Sequence, residues 1–129
     1  MIRSIHLTRE FFMIRVTVER KLKKGADIGP LVLKLRTAAI SQRGHISSET
    51  LIGSEDRSTI MIISTWDSIE DWKSWENSAK RADIEKTIEP LLTEKPVIKA
   101  YEMISPEELE YLEDPHGWMR KKERSNLGG

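Results

Sequence analysis

The chain has no cysteine and no excess of either charge among its 129 residues. Without thiols it can form no disulfide, no cysteine nucleophile and no cysteine-ligated zinc or iron–sulfur site. Lys+Arg and Asp+Glu both total 21, so its overall charge does not predict binding to nucleic acid or to an anionic membrane. No apolar run approaches the roughly 20 residues of a membrane span, and the first residues lack the apolar core of a secretory signal. We therefore expect a cytoplasmic protein with no membrane or nucleic-acid partner.

Motifs for metal ions and cofactors are also lacking. His45 is the one histidine inside the predicted domain, because His6 and His116 lie in the terminal segments. One imidazole without cysteine is a poor ligand set for a metal ion. The sequence contains no glycine-rich phosphate loop and no nucleophile elbow. We therefore predict no metal and no cofactor.

The composition, with 33% charged and 38% hydrophobic residues, is that of one globular domain. The charges are unevenly distributed, with a basic stretch over positions 15–43 and an acidic one over positions 107–114. The basic residues are Arg15, Arg20, Lys21, Lys23, Lys24, Lys34, Arg36 and Arg43. We interpret both stretches mainly as solvated surfaces. An anionic partner, or electrostatic pairing between subunits, is the alternative.

The first half of the chain alternates strand and helix patterns. Apolar residues at every second position predict a half-buried strand over Phe12–Arg20. A proline at its start and a glycine at its end favour a helix over about Gly29–Arg43. His45–Gly53 is a second predicted strand, in which strict alternation would place Ser47 and Glu49 on the face of His45. Thr59–Trp66 is almost wholly apolar and predicts a central strand, joined to the second in a hairpin.

The second half begins with a helix cap. Ser68 is a suitable N-cap, with Asp71 at the third helical position. The helical pattern breaks near Ser78–Arg81 and resumes, and Val97–Ile104 is the last predicted strand. A serine–proline pair then predicts a short acidic helix over about 105–112. A basic tail follows it.

The element order β-α-β-β-α-β predicts an α+β fold of the ferredoxin-like type, with a four-stranded antiparallel sheet and helices on one face. The strands carry apolar residues on both faces, so the second face should be buried too. A second copy of the sheet is the simplest cover, which predicts a homodimer. We place the domain at residues 12–104, with a leader at 1–11 and a C-terminal extension at 105–129.

One segment resembles a known family. Trp66-Asp67-Ser68 is followed by a pattern similar to that of the antibiotic biosynthesis monooxygenase domain family, and Gly44-His45 resembles the start of that family's second strand. The pattern consists of Glu70, Trp72, Trp75, Ser78 and Pro90-Leu91-Leu92. The likeness covers about Phe12–Ile104. It implies a dimeric α+β barrel in a family with diverse roles: some members oxidise polycyclic aromatics or quinols with molecular oxygen and no cofactor, some open haem, and many have no established activity.

The resemblance extends to few of the family's functional residues. Trp66 matches both the quinol-oxidising and the haem-degrading branches, and Trp72 falls where the quinol oxygenases have an aromatic residue. Ile62 stands where those oxygenases have an asparagine. The asparagine and histidine used by the haem-degrading branch have no counterpart. We therefore do not expect haem degradation.

Trp66, Trp72 and Trp75 are the predicted substrate-binding residues, forming a flat slot in which an indole N–H could donate to a ligand. Alternatively they fill the groove between sheet and helix, as aromatic residues commonly do. His45 is the candidate catalytic base, provided that a partner orients it; a plain surface histidine is the alternative. The predicted function is a cofactor-independent monooxygenase acting on a small aromatic or quinol-type substrate. The alternative is a non-catalytic dimeric module that binds a small ligand or a partner.

Overall fold

A computed structural model describes residues 12–111, which fall into two units, 12–103 and 104–111. The first unit contains four strands, three helices and one 3-10 turn. The elements are β1 (Ile14–Lys21), α1 (Gly29–Ile40), β2 (His45–Ile52), β3 (Thr59–Trp66), α2 (Ile69–Glu76), α3 (Ala79–Ile88), the 3-10 helix Glu89–Leu91 and β4 (Val97–Glu102).

The four strands form one antiparallel sheet in the order β2-β3-β1-β4. This is the strand order of the predicted ferredoxin-like fold, so the α+β prediction is confirmed. The third strand has the predicted bounds and lies inside the sheet, between β2 and β1. Its Ile60 and Ile62 pack against the buried core.

One face of the sheet packs against the helices. Ile14, Val16 and Val18 of β1 are buried in the core, as their spacing predicts. The next residue on that face, Arg20, is only 1% exposed, which corrects the interpretation of the whole basic stretch as a solvated surface. The buried residues of the helices are Val32, Leu35, Ala38, Ala39, Trp72, Trp75, Ile84 and Ile88.

The first helix ends at Ile40, three residues before the predicted end, because a turn over 41–44 leads into β2. Gly44 has a φ of 83°, the left-handed conformation that glycine adopts without steric cost. A Cβ at this position would also overlap the carboxylate of Asp71. The backbone carbonyl of Gly44 accepts a hydrogen bond from the Asp67 amide at 2.8 Å, which joins this turn to the end of β3.

The second strand contains an irregularity that the sequence pattern did not predict. His45 pairs with Trp66 and Ser47 with Thr65, so Ile46 is an additional residue in the manner of a β-bulge. Because of this extra residue, the side chains after Ile46 point to the opposite face from the one that strict alternation starting at His45 predicts. His45 therefore lies on the helix-covered face with Ser48, and the prediction that it shares a face with Ser47 and Glu49 is wrong.

The caps of the later helices agree with the sequence patterns. The Ser68 hydroxyl accepts a hydrogen bond from the Asp71 amide at 3.2 Å, and Ser78 caps α3 in the same way. The break between α2 and α3 therefore lies at Asn77–Ser78. In the second unit, the Ser105 amide donates to the Glu108 carboxylate and the Glu108 amide donates to the Ser105 hydroxyl. This is the expected capping box, at the start of the 3-10 helix Glu107–Tyr111.

Within residues 12–103, no helix packs against the other face of the sheet. Leu51, Val97 and Tyr101 lie on this face and are 47%, 44% and 52% exposed. The ion pair between Arg15 and Glu49 lies on the same face, at 3.1 Å. None of the helices among residues 12–111 is long and apolar enough to cross a membrane.

Candidate functional site

A cavity lies between the helix-covered face of the sheet and the helices α1, α2 and α3. Its volume is about 40 Å³. All three predicted substrate-binding residues, Trp66, Trp72 and Trp75, line it. Its polar and charged lining consists of Arg20, Arg36, Ser48, Thr50, Ser64 and Arg81.

The tryptophans are both core residues and cavity walls. Trp66, Trp72 and Trp75 are at most 4% exposed. The rings of Trp66 and Trp72 meet edge to face, with centroids 5.8 Å apart. This arrangement is favourable for aromatic rings because the positive edge of one meets the negative face of the other. Because the two rings are in contact, little space is left between them for a ligand.

The indole N–H of Trp66 has a partner within the protein. Its Nε1 donates to the Ser64 hydroxyl oxygen at 2.9 Å. A buried indole N–H usually finds such a partner, since an unmade hydrogen bond there costs free energy. Ser64 itself lines the cavity, so its own hydroxyl hydrogen can be donated to a molecule inside. The polar contact expected from Trp66 can therefore be made by Ser64.

His45 stands beside the cavity and reaches it through a serine. Its ring meets Trp66 edge to face at 5.2 Å, and its Nε2 lies 2.8 Å from the Ser48 hydroxyl. His45 is not among the lining residues, whereas Ser48 is. Burial lowers the pKa of His45 below 6.5, and the positive charge of Arg36 lowers it further. The neutral imidazole, which can accept a proton, is thus the form present near neutral pH.

Two arginines that line the cavity share one carboxylate that lies outside the lining. Arg20 Nη2 donates to Glu85 Oε2 at 2.5 Å, and Arg81 Nη2 lies 3.1 Å from the same oxygen. Burial lowers the pKa of Arg20 from its usual value, although Glu85 acts in the opposite direction. The guanidinium of Arg81 stands over the ring of Trp72 at 5.6 Å, a cation–π contact.

Sequence reasoning missed Arg20, Ser48, Ser64 and Arg81 as residues of the site. A signal for Arg20 was present, because it continues the alternating series that buries Val16 and Val18. Ser48 was hidden by the bulge. Nothing in the local sequence indicated that Arg81 would meet the cavity.

Ile62, which stands where quinol oxygenases have an asparagine, also lines the cavity. The polar groups of the site therefore come from other positions. Among residues 12–111, no group of three or more His, Cys, Asp or Glu side chains is placed to hold a metal ion.

Solved structures with the same fold come from several bacteria. A candidate antibiotic biosynthesis monooxygenase from Nitrosomonas europaea is 14% identical, with a TM-score of 0.68 and coverage of 78% of this chain and 98% of that one. One from Caulobacter crescentus is 16% identical, with a TM-score of 0.67 and coverage of 74% and 94%. A Bacteroides thetaiotaomicron protein of unknown function, described as a possible oxidoreductase, is 22% identical, with a TM-score of 0.64 and coverage of 72% and 99%. At these identities the likeness shows the fold alone.

The search of curated proteins gives no match to this chain. The sequence model of one family matches residues 13–87, which is more than half of the chain and includes the cavity residues from Val18 to Arg81. The Trp66-Asp67-Ser68 corner and the helix that follows it lie within the match. The chain belongs to the antibiotic biosynthesis monooxygenase family.

Proposed function

We propose that this protein is a cofactor-independent monooxygenase acting on a small aromatic or quinol-type substrate in the cavity beside Trp66. One observation carries the proposal: aromatic walls and a serine that is hydrogen-bonded to a histidine meet at the same cavity. The walls suit a planar ring, and the serine–histidine pair suits removal of a proton from it.

The chemistry would begin with that proton transfer. Ser48 would receive the proton of the substrate while its own proton passes to Nε2 of His45, 2.8 Å away. The resulting carbanion or phenolate is electron-rich and can pass an electron to dioxygen. For an anthrone, one dioxygen molecule would convert the ring CH₂ to a carbonyl and release one water. The substrate supplies all the electrons, so the balance requires no external reductant.

The lowered pKa of His45 sets the expected pH dependence of the activity. A base works only when unprotonated, and the pKa of His45 lies below 6.5. Activity should therefore be on its plateau at neutral pH and fall as the pH drops through the lowered pKa. A pH–rate profile in which activity is lost only as the pH rises above neutrality would contradict the role of His45.

Oxygen consumption with a panel of quinols and anthrones tests the proposed activity. Ser48→Ala and His45→Ala should each slow turnover by about 10²-fold or more, the usual contribution of general base catalysis. Ser47→Ala is the matched control, because its side chain lies on the opposite face of β2 and should leave turnover unchanged. Equal activity in the wild type, His45→Ala and Trp66→Phe would rule out the proposed residue roles.

A non-catalytic dimeric module for small ligands or partners is the second candidate function. The free volume of about 40 Å³ favours the partner-binding form of this candidate, because a dry cavity that admits benzene is about 150 Å³. Ile62 in place of a polar residue favours it as well. This candidate predicts that a bound ligand or partner changes the fluorescence of the cavity tryptophans without any oxygen consumption.

We also propose a homodimer, formed through the sheet face that carries Leu51, Val97 and Tyr101. Exposed apolar residues of this kind commonly mark an interaction surface. Sedimentation at micromolar concentration should give twice the chain mass of 14.9 kDa, and a mass near 15 kDa would refute the dimer. Location in the cytoplasm stays a prediction from the sequence.

A further inference from the structure

The sheet face without helices carries its side chains in a regular grid. The strand pairings align the outward residues of the four strands in three rows that cross the sheet. Each row ends in a residue of β2 at one edge and in a residue of β4 at the other. The pairs of row ends are Ser47 and Tyr101, Glu49 and Lys99, and Leu51 and Val97. One pair carries hydroxyls, one carries opposite charges and one is apolar, so the two edges of the face match each other in chemistry.

The matching row ends are far apart within one chain. Neighbouring strands of a sheet lie about 4.8 Å apart, so the edge strands β2 and β4 are separated by roughly 14 Å. Glu49 is paired with Arg15 of its own chain, but its side chain stays 58% exposed. Lys99 is exposed and has no ion-pair partner among residues 12–111. The two edges can therefore use their complementarity only across two copies of the chain.

A two-fold axis that runs along the strands brings the two edges together. Sheets packed face to face commonly keep their strand directions within about 30° of each other. Rotation about an axis that lies between the sheets and along the strands keeps each row in place but exchanges its two ends. It therefore sets β2 of one copy against β4 of the other, at both edges of the interface. Packed sheets lie about 10 Å apart, a gap that a glutamate and a lysine reaching from opposite sides can close.

We infer that the two copies in the homodimer have this orientation, with Glu49 of each copy paired with Lys99 of the other and Leu51 packed against Val97. The inference rests on the homodimer proposed above, and it adds the orientation and the residues that fix it. The same rotation brings the two hydroxyl-bearing row ends together, where they can share a hydrogen bond. Because the interface is two-fold, every one of these contacts is made twice.

The other aligned orientation fits the same face less well. A two-fold axis that runs across the strands exchanges the first row with the third and leaves the second row opposite its own copy. Glu49 would then face Glu49 of the second copy, and Lys99 would face Lys99. Like charges opposed across an interface are unfavourable. Leu51 would face Ser47 in this arrangement, so the apolar contact at that edge would also be lost. Charge and polarity together therefore select the axis along the strands.

A double-mutant cycle on the dissociation constant of the dimer tests the contact. Measured by sedimentation of the full-length protein, Glu49→Gln and Lys99→Gln should each raise this constant about fivefold, because each removes two ion pairs. The double variant should be no weaker than Glu49→Gln alone. Residues this far apart in one chain act independently, and their effects would multiply to about 25-fold. A multiplied effect in the double variant would overturn the pairing.

Charge reversal gives a second test, in which dimer formation is restored. Glu49→Lys alone and Lys99→Glu alone each oppose like charges at two places, so each variant should be mainly monomeric where the wild type is a dimer. A mixture of the two variants can form a heterodimer in which both pairs have opposite charges, so mixing should restore the dimer. Lys34→Glu is the matched control, because Lys34 is exposed on α1 and lies outside this face. It should dimerise as the wild type does.

The outcomes separate this orientation from the homodimer itself. A wild type that sediments with the mass of one chain, 14.9 kDa, would refute both. A dimeric wild type in which the two residues act independently, and in which mixing the reversed variants restores nothing, would refute the orientation and leave the homodimer standing. Restoration by a mixture of Arg15→Glu and Glu19→Arg would indicate the axis across the strands, because that axis sets these two residues against each other, and would likewise overturn the inference.

Discussion

Two Arg–Glu pairs on opposite faces of the first strand allow the energetic role of burial to be tested directly. Arg20 and Glu85 have side chains that are 1% and 20% exposed, whereas Arg15 and Glu49 are 42% and 58% exposed. The residue types are the same, so differences between the pairs reflect mainly burial and the second arginine, Arg81, that shares Glu85. We predict that Glu85→Gln is strongly destabilising and that Glu49→Gln is nearly neutral.

The magnitudes follow from what each substitution leaves behind. Glu85→Gln leaves the buried guanidinium of Arg20 without its counter-charge, which should cost about 3 kcal/mol, the lower end for breaking a buried pair. We choose the lower end because Glu85 is partly exposed and glutamine can still accept a hydrogen bond. Glu49→Gln removes a pair that is exposed in the single chain and should cost the monomer about 0.5 kcal/mol or less.

Urea unfolding followed by circular dichroism, at a protein concentration at which sedimentation shows the monomer, measures both effects. With a slope of about 1.5 kcal/mol per molar, typical of a small domain, Glu85→Gln should lower the midpoint by about 2 M and Glu49→Gln by no more than about 0.3 M. The slopes themselves should not change. Similar midpoint shifts for the two variants would show that the burial of Arg20 does not matter energetically, and would refute the reasoning.

Two further substitutions test the turns that position the strands. Gly44→Ala should destabilise the protein by about 1–3 kcal/mol more than Gly25→Ala, because both glycines have positive φ but only the Cβ at Gly44 would meet Asp71; equal losses in thermal unfolding would contradict this. Hydrogen bonds from Ser58, Thr59 and Lys21 lower the pKa of Asp56 from 3.8 to about 2. Its contribution to stability is therefore fully present above pH 3.8 and lost as the pH falls towards 2. Asp56→Asn should reduce stability at neutral pH and flatten the loss between pH 4 and pH 2, and an unchanged acid-unfolding curve would show that this turn contributes nothing.

Most of the fold could be predicted from the sequence because its signals are local. The alternation in the first strand, the Ser68 cap and the apolar run ending at Trp66 each depend on residues a few positions apart. Their order along the chain leaves few ways to form one sheet with its helices on one side. The same local pattern at Trp66-Asp67-Ser68 carried the family resemblance. The sequence therefore determined the class of fold and placed the tryptophans near one another.

The chemistry of the site depended on contacts between distant segments. A single additional residue at Ile46 turned His45 towards the cavity side and made Ser48 its partner, which strict alternation could not reveal. Arg20 meets Glu85 across 65 positions of sequence, and no local pattern encodes that contact. Whether a buried arginine is paired depends on every group packed around it, so only the tertiary structure could show Arg20 bonded to Glu85 beside the aromatic walls.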